Sequence, residues 1–445
     1  MKGIESNKGE ESVMLSSPRI AKRPAPPGPN LWQTVRYGIQ MVRGRDVNEI
    51  FGEMHRKFGR ISKIGRYVLI VGRDECRNVL TASIDEIQRS PLAEKGVETL
   101  GGLDGKKHTH HRMIVMQAFR HERFEEYIPR MERLIKERIL KWNGPVRLME
   151  QLRELTLDIM IETMVGIVPG SDEHARFLSH YWPITHRGKK SSIPCSHYQK
   201  AMKSKRAMWW ILKKKHAERP DEPTALNIMF RASQASKQGP LTEDELISYA
   251  YMLTEFGESD VAALTTYALF EMLSSPQWLN SFEQELAQFS GSSVDLKMLN
   301  RLSFIQHSIS EAERLHPPVP FIARQAMVDM TFKGFRIKKG SKFICSIEQT
   351  HLLEELFDNA TVFDPNRFAR SGDEHKAPFS LLGFGGGSHS CVAKQYSQLL
   401  SVLIVFLLGE TFAMSDCYLV PGTAQEKGAK IDLSSIEVDF RLRVQ

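Results

Sequence analysis

The sequence predicts a mainly α-helical fold with a small β-subdomain. Segments with helical periodicity dominate the 445 residues, whereas strand-like segments are few and clustered. No segment repeats at a fixed period, which argues against a solenoid or a propeller. With 41% hydrophobic residues, the chain can bury a substantial core. By length alone it could form two or three domains or one large mixed domain.

The N-terminal half opens with a polar segment that we expect to be disordered, followed by a stiff proline-rich elbow over 23–29. Two apolar tetrapeptides then flank a Gly-Arg-Tyr turn, as in a hairpin. The predicted elements of this half are a disordered lead over 1–22, a helix over 47–58 that ends at Gly59, a hairpin over 61–71, helical segments over 106–142 and 146–165 with a stop at Gly166, a loop over 181–194 and a basic helix over 196–218.

In the C-terminal half, a polar linker over 219–242 precedes a helix over 243–273 that is longer than the average globular helix. Farther on, 331–337 and 342–346 predict a second hairpin-like unit. The longest apolar run, 399–408, is too short to cross a bilayer, which takes about 20 residues. Together with the polar start of the chain, this run predicts a soluble protein without a membrane span.

The composition narrows the class of protein. Five cysteines without a CxxC pair or a regular spacing support neither a disulfide framework nor a zinc ribbon, so we expect a reducing, cytoplasmic setting. A net charge of +7 favours acidic partners in general. The basic residues are dispersed and no nucleic-acid motif is present, so nucleic acid is not an expected partner.

The most informative segment is 384–391, which reads Phe-Gly-Gly-Gly-Ser-His-Ser-Cys. A cysteine presented by a glycine-rich loop at the mouth of a helix is a candidate thiolate, because helix N-terminal amides stabilise negative charge. A phosphate-binding loop is excluded, since the lysine and hydroxyl that close such a loop are not at the required spacing. A plain turn explains the glycines but not Phe384, His389 and Cys391 at fixed offsets from them.

Phe384, Gly387, His389 and Cys391 match the pattern Phe-x-x-Gly-x-(His or Arg)-x-Cys, and the segment resembles the haem-thiolate loop of the cytochromes P-450. That family has a glycine two residues after the cysteine, where this chain has Ala393. One added methyl group near the porphyrin edge should be tolerable, although it could shift the packing there.

The resemblance implies a cytochrome P-450 fold, with residues 23–445 as a single catalytic domain. It also implies a haem b cofactor (iron protoporphyrin IX) whose iron is bound axially by the Cys391 thiolate. The residues of the loop expected to contact the cofactor are Cys391, Phe384, Gly385 and His389.

A second motif supports this resemblance. Glu311 and Arg314 lie at positions i and i+3 of a predicted helix, where they can pair. Such spacing alone is most often a surface ion pair of little consequence. Beside the cysteine loop it resembles the family's Glu-x-x-Arg pair, and 363–368 resembles the segment that supplies a further arginine, here Arg367. The resemblance implies a buried, structural cluster of these three residues.

Haem carries two propionates, so cations are expected at its edge. His108 and Arg112 lie at i and i+4 on one helical face and match the family's propionate-binding helix. Arg324 and His389 occupy two further propionate-binding positions of the family. A metal site at the histidine cluster around His108 is the rival interpretation, but no carboxylate ligand lies at helical spacing there.

The helix over 243–273 is expected to cross the distal face of the haem. The family carries (Ala or Gly)-Gly-x-(Asp or Glu)-Thr there, where the acid and the alcohol bring protons to dioxygen. This chain retains Gly257 but has Ser259 at the acid position and Asp260 at the threonine position. The relay could survive in exchanged order or be lost, and a register shifted by one residue would make Glu258 or Asp260 the acid. We expect these four residues, Gly257 to Asp260, to be the catalytic ones.

The resemblance therefore implies an oxidoreductase that hydroxylates or similarly oxidises a hydrophobic small molecule with dioxygen, with a role in secondary metabolism. Electrons would reach the Cys391 side from a ferredoxin, a flavodoxin or a flavin reductase, and we expect a monomer. Two alternatives stay open. One is a haem-thiolate isomerase, dehydratase or peroxide-using enzyme without normal dioxygen activation. The other is a haem-binding sensor without turnover.

Overall fold

A computed structural model describes residues 23–89, 100–142, 144–185, 194–369, 377–424, 426–427 and 430–442. The predicted disordered lead over 1–22 lies outside the described residues. Helices make up most of the described chain, so the prediction of a mainly α-helical fold with a small β-subdomain is confirmed.

The helices surround one large hydrophobic core. In chain order they are α1 (Leu31–Val42), α2 (Val47–Phe58), α3 (Arg73–Leu80), α4 (Gly105–Val115), α5 (His121–Ile139), α6 (Leu148–Met160), α7 (Asp172–Thr185), α8 (Pro194–Glu218), α9 (Ala225–Gln234), α10 (Glu243–Leu273), α11 (Pro276–Phe289), α12 (Leu296–Leu299), α13 (Ser303–Leu315), α14 (Ile347–His351) and α15 (Lys394–Thr411).

The strands form small sheets at the edge of the helical core. They are β1 (Ile61–Ile64), β2 (Tyr67–Ile70), β3 (Ile87–Arg89), β4 (Gly144–Arg147), β5 (Phe321–Ala326), β6 (Met330–Phe332), β7 (Phe335–Ile337), β8 (Lys342–Ser346), β9 (Tyr418–Leu419), β10 (Glu426–Lys427), β11 (Lys430–Ile431) and β12 (Glu437–Phe440). The main sheet has the order β1-β2-β8-β5-β3, in which only β2 and β8 run parallel. A three-stranded sheet has the order β4-β12-β9, and β6–β7 and β10–β11 form separate pairs.

Helix α10 is the central element of the fold, and its bounds agree with the predicted helix over 243–273. Thr242 and Glu245 form a capping box at its start, which satisfies amides that the first turn leaves free. Most of its side chains are buried, and it packs against α6, α9, α13 and α15. A helix that is apolar on most sides must lie inside the core, because no face is left for solvent.

The apolar run 399–408 lies within α15, where every one of its residues is buried. This helix packs against α5, α10 and α13. In the part of the chain that the structure describes, no helix is both long and apolar enough to span a membrane.

Several predicted boundaries differ from the structure. Tyr181 does not begin a loop but lies in the last turns of α7, where its ring stacks on Phe177 in the core. The linker over 219–242 contains α9, which Thr224 caps by accepting a hydrogen bond from the Asn227 amide. Buried apolar residues on one face of α9 explain why a largely polar segment folds as a helix.

Strand pairing also differs from the prediction at two places. The helix expected over 146–165 begins only at Leu148, because Val146 pairs with Val438 as part of a sheet. The hairpin predicted over 331–346 is correct for β6 and β7, whereas β8 pairs with β2 and β5 in the main sheet. All five residues of β8 are buried, which a two-stranded hairpin could not achieve.

Candidate active site

A cavity of about 1120 Å³ lies between α10 and the glycine-rich loop that precedes α15. Further walls come from α1, α2, α4 and β5. Of the sequence-predicted site residues, the cavity is lined by Gly257, Asp260, His108, Arg112, Arg324, Phe384, Gly385, His389 and Cys391. Ser259 and Glu258 do not belong to this lining.

The loop depends on glycines with left-handed backbone conformations. Gly385 and Gly387 have φ angles of +73° and +68°, which side chains other than hydrogen rarely permit. A Cβ at Gly387 would also collide with the carbonyl oxygen of Leu80. The loop closes where the Cys391 amide donates a hydrogen bond of 2.8 Å to the Phe384 carbonyl oxygen. These constraints fix where Cys391 meets the cavity.

The Cys391 thiol is exposed to the cavity and lies two residues before Ala393, the N-cap residue of α15. Burial raises its pKa, and this effect outweighs the stabilisation of the thiolate by the Ala393 amide and Arg112. Helix-mouth amides alone therefore do not make Cys391 a thiolate. A metal cation at this position would, because coordination deprotonates a thiol outright.

Cationic and polar side chains gather at one edge of the cavity. The Arg112 guanidinium donates hydrogen bonds to the Ser390 carbonyl oxygen (2.6 Å) and hydroxyl (3.1 Å). The rings of His108 and His389 stack with their centroids 3.9 Å apart. His389 Nε2 lies 2.9 Å from Asp104 Oδ1. The structure thus brings together the elements that the sequence predicted to meet here.

Among these residues, Arg324 gives the strongest indication of an anionic ligand in the cavity. It is only 6% exposed, and it forms no ion pair with a carboxylate in the described part of the chain. Its guanidinium donates to the Ala323 carbonyl oxygen at 3.0 Å. Burial lowers the pKa of both Arg324 and Arg112, so neither charge is well compensated by protein groups. Buried cations that face a cavity favour an anionic ligand there.

These residues fit the two propionates of a haem. Arg112 and Arg324 supply positive charge, while burial lowers the pKa of His108 to about 4 and keeps its imidazole neutral. His108 would therefore contribute a hydrogen bond rather than a charge.

The rival metal site receives no support from the described residues, which contain no group of three potential ligands. The two neighbouring histidines are engaged elsewhere. His110 lies 2.9 Å from the Ser236 hydroxyl, and His111 contacts the Tyr249 hydroxyl at 2.5 Å.

Helix α10 brings one acid to the cavity. Burial raises the pKa of Asp260 to about 6, although the Ser259 hydroxyl opposes this by donating to Asp260 Oδ1 at 3.4 Å. Glu258 points elsewhere: its carboxylate pairs with Arg153 and accepts a 2.7 Å hydrogen bond from the Tyr181 hydroxyl. This placement favours Asp260 over Glu258 as the acid at the site.

Gly257 has a packing role that its sequence position did not reveal. A Cβ at Gly257 would collide with the Cε methyl group of Met160, which itself lines the cavity. The missing side chain therefore lets Met160 lie directly against α10. Sequence reasoning missed Met160, because nothing in its own segment distinguishes it from other core residues.

Behind the cysteine loop, the predicted ionic cluster is confirmed. Arg314 donates two hydrogen bonds of 2.7 Å to the Glu311 carboxylate, and Arg367 donates one of 3.0 Å to the same group. The remaining donors of Arg314 reach backbone carbonyls, including that of Ala360 at 2.5 Å. The cluster ties α13 to the segment before the loop and takes no part in lining the cavity.

Sequence reasoning also missed Glu313, although it lies in the same Glu-Ala-Glu-Arg run. Its side chain is 1% exposed and lines the cavity beside Gly383. The sequence did contain a signal, because Glu313 is a second acid in the helical turn that the Glu311–Arg314 pair predicts to be buried.

Comparisons with known proteins agree with this geometry. The model of the cytochrome P450 family matches residues 26–417. A cytochrome P450 120 protein of Synechocystis sp. is 26% identical over 437 residues, which cover 92% of this chain and 94% of that protein. Cytochrome P450 26B1 of Bos taurus is 26% identical over 395 residues, covering 79% and 74%. The structure of retinoic acid-bound cyanobacterial CYP120A1 superposes with a TM-score of 0.80 at 24% identity, covering 95% of this chain and all of that one, and this confirms the predicted fold.

Proposed function

The chain belongs to the cytochrome P450 family, and from that premise we propose that it hydroxylates, or similarly oxidises, a hydrophobic small molecule with dioxygen and electrons from a separate redox protein. Family membership makes it a monooxygenase-type oxidoreductase with a haem cofactor. The observation that carries the proposal is one cavity lined by Cys391, by two poorly compensated arginines and by Asp260. Residues 23–445 would form its single catalytic domain.

We propose haem b as the cofactor. Cys391 would bind its iron, and Arg112, Arg324 and His108 would hold the propionates, with His389 beside them. When bound, the haem supplies the iron chemistry that activates dioxygen. Phe384 and Gly385 line the cavity next to the cysteine, where they would exclude water from its sulfur.

Asp260 would move protons from solvent to the reacting oxygen. A carboxyl group with a pKa of about 6 exchanges protons readily near neutral pH, which suits a general acid or base. The Ser259 hydroxyl is its hydrogen-bond donor within α10 and would orient the carboxylate. Gly257 sits one turn earlier on the same helix and also lines the cavity. The exchanged order of hydroxyl and acid would thus retain a relay.

The substrate should be largely apolar, because most cavity-lining residues beyond the haem site are hydrophobic. Those on α10 and the adjacent strands include Leu253, Phe256, Leu264, Ile322 and Ile344. One structural relative is bound to retinoic acid, which supports an elongated apolar molecule as the substrate class.

A net charge of +7 supports an acidic electron donor, for which a ferredoxin, a flavodoxin or a flavin reductase is suitable. We further propose that the protein acts as a cytoplasmic monomer in secondary metabolism.

A second candidate is a haem-thiolate enzyme that uses peroxide, isomerises or dehydrates its substrate. It is favoured by the departure of α10 from the family's acid-alcohol pair: Ser259, at the acid position, does not line the cavity, and Glu258 is engaged with Arg153 and Tyr181. Turnover with peroxide alone, without a response to dioxygen and reductant, would identify this class.

The decisive experiment is the optical spectrum of the reduced protein with carbon monoxide. We expect a strongly red-shifted Soret band that vanishes in Cys391→Ala. Absence of this band from the wild-type protein loaded with haem would refute the haem-thiolate assignment. Product formation with dioxygen, a ferredoxin system and a panel of apolar acids then tests the reaction itself.

A further inference from the structure

Glu313 is a buried carboxyl group that no part of the proposed reaction uses. It lies on α13, is 1% exposed and faces the cavity on the side of the cysteine loop. In the described part of the chain no hydrogen bond of good geometry reaches its Oε1, the Gly383 and Phe384 amides lie nearby, and its Oε2 receives only a long 3.5 Å contact from Gln398. A buried acid with so few partners is costly, so its presence calls for a role.

The cysteine loop rests directly on this side chain. A Cβ built on Gly383 would lie 2.5 Å from Glu313 Cγ, so only glycine permits the contact. The amides of Gly383 and Phe384 lie close enough to favour the charged carboxylate. The Phe384 carbonyl oxygen in turn accepts a hydrogen bond from the Cys391 amide. Phe384 is therefore held on its amide side by Glu313 and on its carbonyl side by Cys391.

The two acidic groups also interact electrostatically. Burial is the main cause of the raised pKa of the Cys391 thiol, and negative charges on Asp260 and, to a smaller extent, on Glu313 raise it further. Burial raises the pKa of Glu313 itself to about 7, against the opposing effect of Lys394 on α15. Both protonation states of Glu313 are therefore accessible near neutral pH.

Other charged and titratable groups also lie near Glu313. Glu311 on the same helix pairs with both Arg314 and Arg367, and burial keeps His351 of α14 neutral with a pKa of about 3. Lys394 is the cation that faces Glu313 from α15.

We propose that Glu313 is a positioning residue for the cysteine loop and that the charge on its carboxyl group sets how strongly Cys391 donates electrons to the haem iron. The loop contact places this charge behind the sulfur, in a low-dielectric region where its effect is not screened by water. A negative charge there would favour the oxidised state of a bound haem iron over its reduced state. Reduction by one external electron would consequently favour uptake of one proton by Glu313. The inference rests on the proposed haem-thiolate site, which the carbon monoxide spectrum of the wild type tests separately.

The first test is the midpoint potential of the full-length haem protein, measured by spectroelectrochemistry at pH values on both sides of 7. For the wild type we expect the potential to fall as pH rises through this range. Asp260 also acts on the Cys391 thiol, so the proteins are compared in the Asp260→Asn background, which removes this second acid. Glu313→Gln keeps the shape and an acceptor oxygen but removes the charge, so in this background its potential should match that of Asp260→Asn at low pH and lack the fall that Asp260→Asn retains. Identical pH profiles for Asp260→Asn with and without Glu313→Gln would overturn the electrostatic role.

The second test separates positioning from charge. Glu313→Leu cannot accept from the loop amides, whereas Glu313→Gln can. We expect Glu313→Gln to retain the red-shifted carbon monoxide band and Glu313→Leu to lose part of it. A full band in both variants would refute the positioning role. If Glu313→Leu does not fold, thermal loss of the band in Glu313→Gln relative to the wild type decides instead: equal loss supports positioning by the retained acceptor oxygen, and faster loss refutes it.

Discussion

The buried cluster behind the cysteine loop should respond sharply to loss of its single acid. Glu311 and Arg314 are fully buried, and the Arg367 side chain is 6% exposed. Replacing Glu311 with Gln leaves two buried guanidinium groups without a countercharge. Breaking a buried pair in this way typically costs about 3–5 kcal/mol. Because folded domains are stable by only about 5–15 kcal/mol, this loss would be a large fraction of the total.

A matched control exists on α5. Glu126 and Arg123 also pair at i and i+3 spacing, and their 2.7 Å contact equals that of Glu311 with Arg314, but both side chains are about one-third exposed. Exposed pairs contribute about 0–1 kcal/mol, so Glu126→Gln should hardly change stability.

The assay is urea denaturation of both variants and the wild type, followed by circular dichroism and by the haem absorbance. We expect Glu311→Gln to lower the free energy of unfolding by at least about 3 kcal/mol and to lose haem before the helices unfold. Equal free energies for Glu311→Gln and Glu126→Gln would show that the cluster does not hold the loop.

Four further predictions concern α10 and the residues that contact it. Asp260→Asn should lower product formation per electron consumed and increase peroxide release; unchanged coupling would exclude Asp260 from the relay. Its raised pKa means that the folded state holds the Asp260 proton more tightly than the unfolded state. As pH rises from about 4 to about 6, the free energy of unfolding of the wild type should therefore fall relative to that of Asp260→Asn, which urea titrations at several pH values would show. Gly257→Ala should displace Met160 and weaken substrate-induced spectral shifts, and Met160→Ala in the same chain should restore them. Tyr181→Phe should destabilise the protein by about 1–3 kcal/mol in urea, since Glu258 loses a buried donor; a neutral effect would contradict the network.

The sequence predicted those parts of the fold whose signals are local. The bounds of α10 follow from the Thr242–Glu245 capping box, and α2 ends at Gly59, whose φ of +83° only glycine adopts readily. The strand β8 was assigned to the wrong partner, because pairing with β2 and β5 depends on segments far away in the chain. Helix α9 was missed for a similar reason: burial of one face against the core outweighs its polar composition.

The site residues also divide into those that a local sequence pattern predicts and those that only the folded chain reveals. Motif spacing led to Cys391, His108, Arg112 and Arg324, since each belongs to a recognisable local pattern. The direction of neighbouring side chains on α10 could not be read from the pattern, because Glu258 faces Arg153 and Tyr181 only in the folded chain. The sequence did not predict a role for Glu313, because the loop that it contacts belongs to a distant segment of the chain.

The charges around the cavity come from elements that only the complete fold brings together. Arg112 belongs to α4 and Arg324 to β5, and both face one edge, whereas Asp260 of α10 and Glu313 of α13 each bring an acid to the cavity. Burial raises the pKa of both acids into the range of physiological pH. Two groups that can each gain or lose a proton therefore lie near the Cys391 sulfur, one beside the substrate space and one behind the loop. Proton supply to the substrate side should therefore respond to pH through Asp260, whereas electron donation by the sulfur should respond through both acids.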